Sequence, residues 1–313
     1  MTAPATAEEI RDVNTRYHDG AASGYDAKWG IDFGEIGRAQ VLGKLRKLLR
    51  GELGPYPRAL EIGAGTGYFS LNLVRGGVVG HATCTDISPG MLATLQANAD
   101  RLGIEVDAVA CDAEDLPFED ASFDLVFGHA VLHHLPNLER AFSEFRRVLK
   151  PGGIVAFAGE PSRYGDRIAS YPKRAANRLA PAWRALMRAR PAVEGHSDGG
   201  AENHRLESQV DVHAFTPHDL SRHAKAAGLE DVRVRGEELL ANWFGWTNRG
   251  LEASADPETV PMAWRQYAYH GYIALQRVDG ALLEPRLPPA IFYNLMIAAR
   301  RPPSGSSSRP PTA

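Results

Sequence analysis

Cys84 and Cys111 are the only thiols in 313 residues. Two are too few for a disulfide framework or a cysteine-built metal site, and both stand in apolar surroundings that read as strands, so two reduced, buried thiols are expected. No stretch reaches the roughly 18 consecutive apolar residues of a membrane span. The opening MTAPATAEEIRD has neither the basic start nor the apolar stretch of a secretion signal. Together these absences lead to the expectation of a cytoplasmic protein. There is no basic excess: the net charge is −3 and the isoelectric point about 6.4, which counts against a chain built throughout for nucleic acid. Internal repeats are also lacking. What is present, 44% hydrophobic and 23% charged residues, suits one large α/β domain with insertions. The closing RRPPSGSSSRPPTA is rich in proline and serine and reads as a disordered tail over 302–313.

From Arg58 onward, strand and helix signals alternate. RALEIG is a short apolar strand, and TGYFSLNLVRGG has helical spacing and ends at two glycines. HATCTDIS follows as a strand. Ser88 then reads as a helix N-cap with Pro89 at the first helical position, and the helix stops at Gly103. VDAVACDA and SFDLVFGHAV are the third and fourth strands. NLERAFSEFRRVLK is an amphipathic helix ended by Pro151-Gly152-Gly153, IVAFAGE a fifth strand, and AIFYNLMIAAR a last one. Continuous apolar strands in a β-α-β-α rhythm predict a parallel sheet covered on both faces. A ligand then sits beyond the carboxyl ends of the strands, at Glu61, Asp86, Asp112, His129 and Glu160.

The glycines after the first strand, Gly63, Gly65 and Gly67, are spaced G-x-G-x-G, not the G-x-G-x-x-G of a dinucleotide site. Glu61 stands two residues ahead, and a carboxylate there is awkward beside a pyrophosphate but suits a cationic ligand. Asp86 can accept two ribose hydroxyls, since a carboxylate offers two oxygens in a fork. Asp112 can accept the exocyclic amine of adenine. The plain alternative for each acid is helix N-capping.

LEIGAGTG, DISPGML, CDAEDLPFEDASFDLVFGHAVLHHL and RVLKPGG, in this order over about residues 58–160, resemble the successive motifs of class I S-adenosylmethionine (SAM)-dependent methyltransferases. They look like the small-molecule branch that includes the ubiquinone/menaquinone C-methyltransferases. The resemblance implies a Rossmann-like α/β fold, a doubly wound, mostly parallel seven-stranded sheet with helical cap insertions. It implies SAM as cofactor and a small, apolar or aromatic acceptor. By the same resemblance Gly63, Ala64, Gly65 and Gly67 form the loop near the methionine part, with Glu61 orienting it. Asp86 would bind the ribose, Ile87 and Met91 flank the adenine, Asp112 and Ala113 address its edge, and His129 stands near the methionine end. ASGYDAKW resembles the family's N-terminal helix, whose tyrosine, here Tyr25, closes over the cofactor.

The expected organisation is an N-terminal helical segment (1–57), a SAM-binding core (58–160), a basic cap insertion (161–213), an aromatic-rich insertion (238–287), and completion of the sheet by 214–237 and 288–301. His133, His134 and Glu160 are the candidate bases, if the acceptor is a hydroxyl or an acidic carbon. His129 and His133 have i,i+4 spacing, but no third metal ligand is apparent nearby, and no metal is expected. Residues 162–190 carry eight basic residues against one acid, Asp166, interleaved with Tyr164, Tyr171, Leu179, Trp183 and Leu186. A solvated cap face is the simpler reading and weak contact with an anionic membrane surface the second. The aromatics of 238–293, such as Trp243, Trp246, Trp264 and Tyr293, suit either an acceptor pocket or a cap core. The alternatives are an RNA or protein methyltransferase and a non-catalytic SAM-binding partner. The first lacks a basic balance and an Asn-Pro-Pro-Tyr-type motif after the fourth strand; the intact acids and glycines count against the second. Nothing in the sequence names the oligomeric state.

Overall fold

Apolar side chains that alternate along strands with no polar face must be covered on both sides. In the computed structural model, which describes residues 6–51, 53–192, 206 and 210–304, that covering is complete. Seven strands, β1 (Tyr56–Ile62), β2 (Val79–Asp86), β3 (Asp107–Ala110), β4 (Phe123–His129), β5 (Leu149–Pro161), β6 (Glu230–Glu237) and β7 (Asn294–Arg300), form one sheet in the order β3-β2-β1-β4-β5-β7-β6. All neighbours run parallel except β7, which is antiparallel to both β5 and β6. Leu125 and Phe127 of β4, Ile154 and Ala156 of β5 and Met296 of β7 face one apolar cluster; Val126, Val155, Phe157 and Ile297 face the other.

Before β1 come α1 (Ala7–Ala21), α2 (Tyr25–Trp29) and α3 (Glu35–Leu48). Helices α3, α4 (Tyr68–Arg75) and α5 (Pro89–Leu102) cover the first face. Helix α6 (Leu138–Val148) and α8 (Pro217–Ala226) cover the second, and α7 (Arg163–Met187) lies between them in sequence. Two further helices, α9 (Leu240–Ala253) and α10 (Met262–Val278), belong to the cap. Ala176, Ala180 and Trp183 of α7 pack there with Leu251 and Val260 in a cluster of their own.

The helix signals sit where the spacing puts them. Ser88 accepts from the Met91 N–H, Pro89 opens α5, and Gly103 closes it in the left-handed region. Thr216 and Asp219 make a reciprocal capping box on α8.

Three local expectations need correction. Pro151-Gly152-Gly153 does not separate helix from strand: α6 runs directly into β5, and the register against β4 slips between Leu149 and Ile154. The Gly152 N–H donates to Arg301 and the Arg301 N–H to Gly153 there, so the segment is held as an irregularity within the strand. The third strand ends at Ala110, which leaves half-buried Cys111 and Asp112 in the loop beyond it. The last strand begins at Asn294, because Phe292 is buried against Gly165 and Gly236 instead of pairing. Of the basic insertion, 193–205 and 207–209 lie outside the described residues, as does 305–313 of the tail. No helix among the described residues is long and apolar enough to cross a membrane.

Candidate cofactor and catalytic site

The strand order reverses at β1, between β2 and β4, and a cavity of about 390 Å³ opens over their carboxyl ends. Its floor is the glycine loop. Gly63 has φ +63°, and a Cβ there would run into the Val131 side chain. Gly65 has φ +53°, with nothing within 4 Å of where a Cβ would lie, so a side chain would stand in the space of the cavity it lines. The Gly65 N–H donates to Asp86 Oδ2 at 2.8 Å, and the Ser88 N–H to Oδ1 at 2.9 Å. Burial pushes the Asp86 carboxyl above its ordinary value, against the pull of nearby His18. Each of its oxygens still has a lone pair to offer a ligand. Ile87, Met91 and Ala113 continue the wall.

Glu61, Ala64 and Gly67 lie off the cavity. Glu61, only 2% exposed, points to the first turn of α4, where its carboxyl accepts from the Ser70 N–H at 3.0 Å and from the Ser70 hydroxyl. Burial pushes it up to about 8. The sequence argument that its charge turns phosphates away therefore fails: Glu61 is a capping group sealed behind the loop. Ala64 donates its N–H to the Thr85 carbonyl at 2.8 Å, and Gly67 caps α4 beneath Leu71 and Leu95.

Helix α1 roofs the cavity with Arg11, Asn14, Tyr17 and His18, none of which the sequence reading picked out. A polar ridge at i, i+3 and i+7 (Arg11, Asn14, His18) was the available signal. Arg11 reaches Asp112 and Glu114, each at 2.6 Å. At the other end Asp19 accepts from the Ser88 hydroxyl at 2.5 Å and the Gly90 N–H at 2.9 Å. Asp112 thus meets Arg11 with one oxygen and the Glu114 N–H with the other, at the edge of the cavity. The buried Asn14 Oδ1 has no hydrogen-bond partner. Tyr25, opening α2, also lines the space, and burial raises its hydroxyl.

Beyond β4 the chain turns through Val131, His133 and His134. Glu160 of β5 organises that turn: wholly buried, it accepts the Val131, Leu132 and His133 N–H groups at 3.1 Å each. It also faces His133 Nδ1 at 2.8 Å. With four donors Glu160 has little capacity left, and it does not line the cavity. An acceptor on Nδ1 keeps that nitrogen protonated and leaves the lone pair on Nε2. His134 donates from Nδ1 to the Val210 carbonyl at 2.9 Å, and burial holds it well below the ordinary value. His129 stacks on Phe69 with ring centroids 4.7 Å apart, and burial drives it down to about 3.

A third polar group arrives from far along the chain. Asp211 lies 3.5 Å from His133 Nε2 and 3.5 Å from His134 Nδ1, completing a trio of metal-ligating types that the sequence reading did not see. Coordination through His134 Nδ1 would break its bond to Val210, so the arrangement is better described as two hydrogen-bonded imidazoles with a carboxylate between them.

A largely enclosed His129 that resists protonation makes the fold acid-sensitive. The folded value of His129, about 3, is below the unfolded 6.5, so the unfolded chain binds more protons between them. Its contribution is complete above pH 6.5 and is lost as pH falls, by up to about 1.4 kcal/mol per pH unit. Glu61 acts oppositely, its contribution fading as pH rises from 4.5 to about 8. Urea unfolding of the wild type and His129→Gln isolates the ring: the variant should lose less stability between pH 6.5 and 5. Equal slopes would refute this account.

The far rim is aromatic. Trp29, Trp246 and Tyr293 line it, with Lys173 of α7 over Trp246 at 4.4 Å and over Tyr293 at 5.1 Å. Trp264 packs on Trp183 at 5.2 Å in the cap cluster instead. The aromatic-rich segment therefore divides between pocket and cap core.

A family profile described as "Methyltransferase domain" matches residues 60–157. The chain is 34% identical over 227 residues to a malonyl-[acyl-carrier protein] O-methyltransferase of Methylococcus capsulatus, covering 71% of this chain and 72% of that protein. It is 36% identical over 134 residues to a ubiquinone/menaquinone biosynthesis C-methyltransferase of Methylobacterium nodulans, covering 41% of this chain and 52%, about half, of that one. Among solved structures, the [4+2]-cyclase SpnF superposes with a TM-score of 0.59 at 18% identity, over 97% of this chain and 100% of that one. That likeness concerns the fold alone.

Proposed function

The chain belongs to the class I SAM-dependent methyltransferases, and on that footing we propose that it methylates a small, apolar or aromatic molecule at an oxygen or carbon whose proton His133 removes. The cavity suits the cofactor. It presents acceptors, and SAM is a ligand with donors and positive charge: the Asp86 fork, Asp112, and the unpartnered Asn14 Oδ1. When bound, SAM supplies a methyl group activated by its sulfonium. Asp86 would hold the ribose and Asp112 the adenine edge, while Gly63 and Gly65 allow close approach of the methionine part.

The observation that carries the assignment of the base is the 2.8 Å contact between Glu160 and His133 Nδ1. It fixes the tautomer whose Nε2 takes a proton, and Asp211 stands ready to stabilise the imidazolium. Glu160 positions the ring, and His134 is too weakly basic to compete. Removal of a proton from a hydroxyl or a carbon acid needs such a base. Trp29, Trp246 and Tyr293 offer the acceptor an apolar, aromatic rim.

Incubation with methyl-labelled SAM and fractionated cell extract tests this. Label should enter an organic-extractable small molecule and survive mild alkali, as an ether or C-methyl does and a methyl ester does not. Label confined to protein, RNA or an alkali-labile ester would count against the reading.

A further inference from the structure

Helix α7 has two unlike faces. Inward, Ala176, Ala180 and Trp183 are buried in the cap cluster. Outward, Tyr164 is 47% exposed, Tyr171 71%, Leu179 58% and Leu186 76%. At about 100° per residue these four fall within an arc of about 80° and along about 33 Å of helix. Four large apolar side chains in one exposed stripe are a surface with a use, unlike single exposed ones. Arg167, Arg174 and Arg178, all exposed, form a second stripe beside the first. No acidic residue falls in either arc.

We propose that this outer face of α7 docks on an anionic lipid membrane. Tyrosine and leucine enter the headgroup level, and the neighbouring arginines meet lipid phosphates. A second copy of the chain fits poorly, because the arginine stripe would face its own like charges. A protein partner would have to seat on a single exposed helix face, whereas a lipid surface asks for no more than that. The charge is local: the whole chain carries −3, so the attraction belongs to this face. Lys173, on the opposite side of the same helix, stands over the aromatic rim of the cavity, so the docked helix would lie between that rim and the bilayer.

The test is sedimentation of the full chain with vesicles of phosphatidylcholine alone or mixed with phosphatidylglycerol, at low and high salt. Binding should require phosphatidylglycerol and weaken with salt. The combined variant Arg167→Glu, Arg174→Glu, Arg178→Glu should lose more than about tenfold in partition. Leu179→Ser with Leu186→Ser should also weaken binding. Both variants should keep wild-type thermal unfolding and SAM affinity, because every changed side chain is exposed and off the cavity. No partition into phosphatidylglycerol vesicles at low salt, or wild-type partition by the arginine variant, would overturn the proposal. So would an acidic protein that binds this face while vesicles do not.

Discussion

Replacing His133 by alanine should lower the rate of methyl transfer by about 10²- to 10⁴-fold, the usual share of a general base, while SAM affinity changes little. The ring lies 2.8 Å from Glu160 through Nδ1 and 3.5 Å from Asp211 through Nε2, so its loss would remove the proposed proton acceptor and leave Asp86 and Asp112, the proposed ribose and adenine contacts, in place. Single-turnover kinetics with calorimetric titration of SAM separates the two quantities. A parallel fall in affinity and rate would mean that His133 holds the cofactor. Glu160→Gln should behave differently. Four donors converge on that carboxylate, and an amide would point its own N–H₂ at some of them. The expected loss is first one of folding stability, about 2–3 kcal/mol, visible in urea unfolding, with slower transfer following from a misplaced ring.

Asp86→Ala should weaken SAM binding by about 100-fold or more, since charge-assisted hydrogen bonds contribute roughly 1.5–3 kcal/mol each. Two effects combine. In the proposed pose the ribose would lose its paired acceptor, and the Gly65 and Ser88 N–H groups lose the carboxylate that sets the loop. Asp86→Asn keeps one oxygen and should fall between variant and wild type. Titration with SAM and S-adenosylhomocysteine checks both. Affinity within threefold of wild type in a folded Ala variant would remove Asp86 from the site.

The legible parts of the fold were those decided by near neighbours. Ser88, Pro89 and Gly103 bound α5 through contacts within one turn. Apolar runs marked the strands because the sheet is covered on both faces. The start of β5 was hidden because Gly152 and Gly153 are held by Arg301, about 150 residues away, and not by their own turn. In the site, the strand ends supplied Asp86 and His129 and the loop past β3 supplied Asp112, but the roof did not show. Arg11 finds its partner 103 residues later, and Val210 meets His134 across 76. Glu61 was misjudged for a related reason. Its charge was weighed against a ligand, whereas Ser70, nine residues on, takes its carboxyl into the core.

The clasps of α1 also bear on how the enzyme comes into being. Arg11 and Asp19 precede their partners Ser88, Gly90, Asp112 and Glu114 by some 70 to 100 residues. Contacts of such sequence separation carry a loop-closure cost that local ones do not. The roof therefore gains these side-chain partners only once β2, β3 and the turns that follow them are in place. A ligand held beneath that roof binds the finished state alone and draws the folding equilibrium toward it, so cofactor supply becomes a lever on how much mature enzyme a cell keeps.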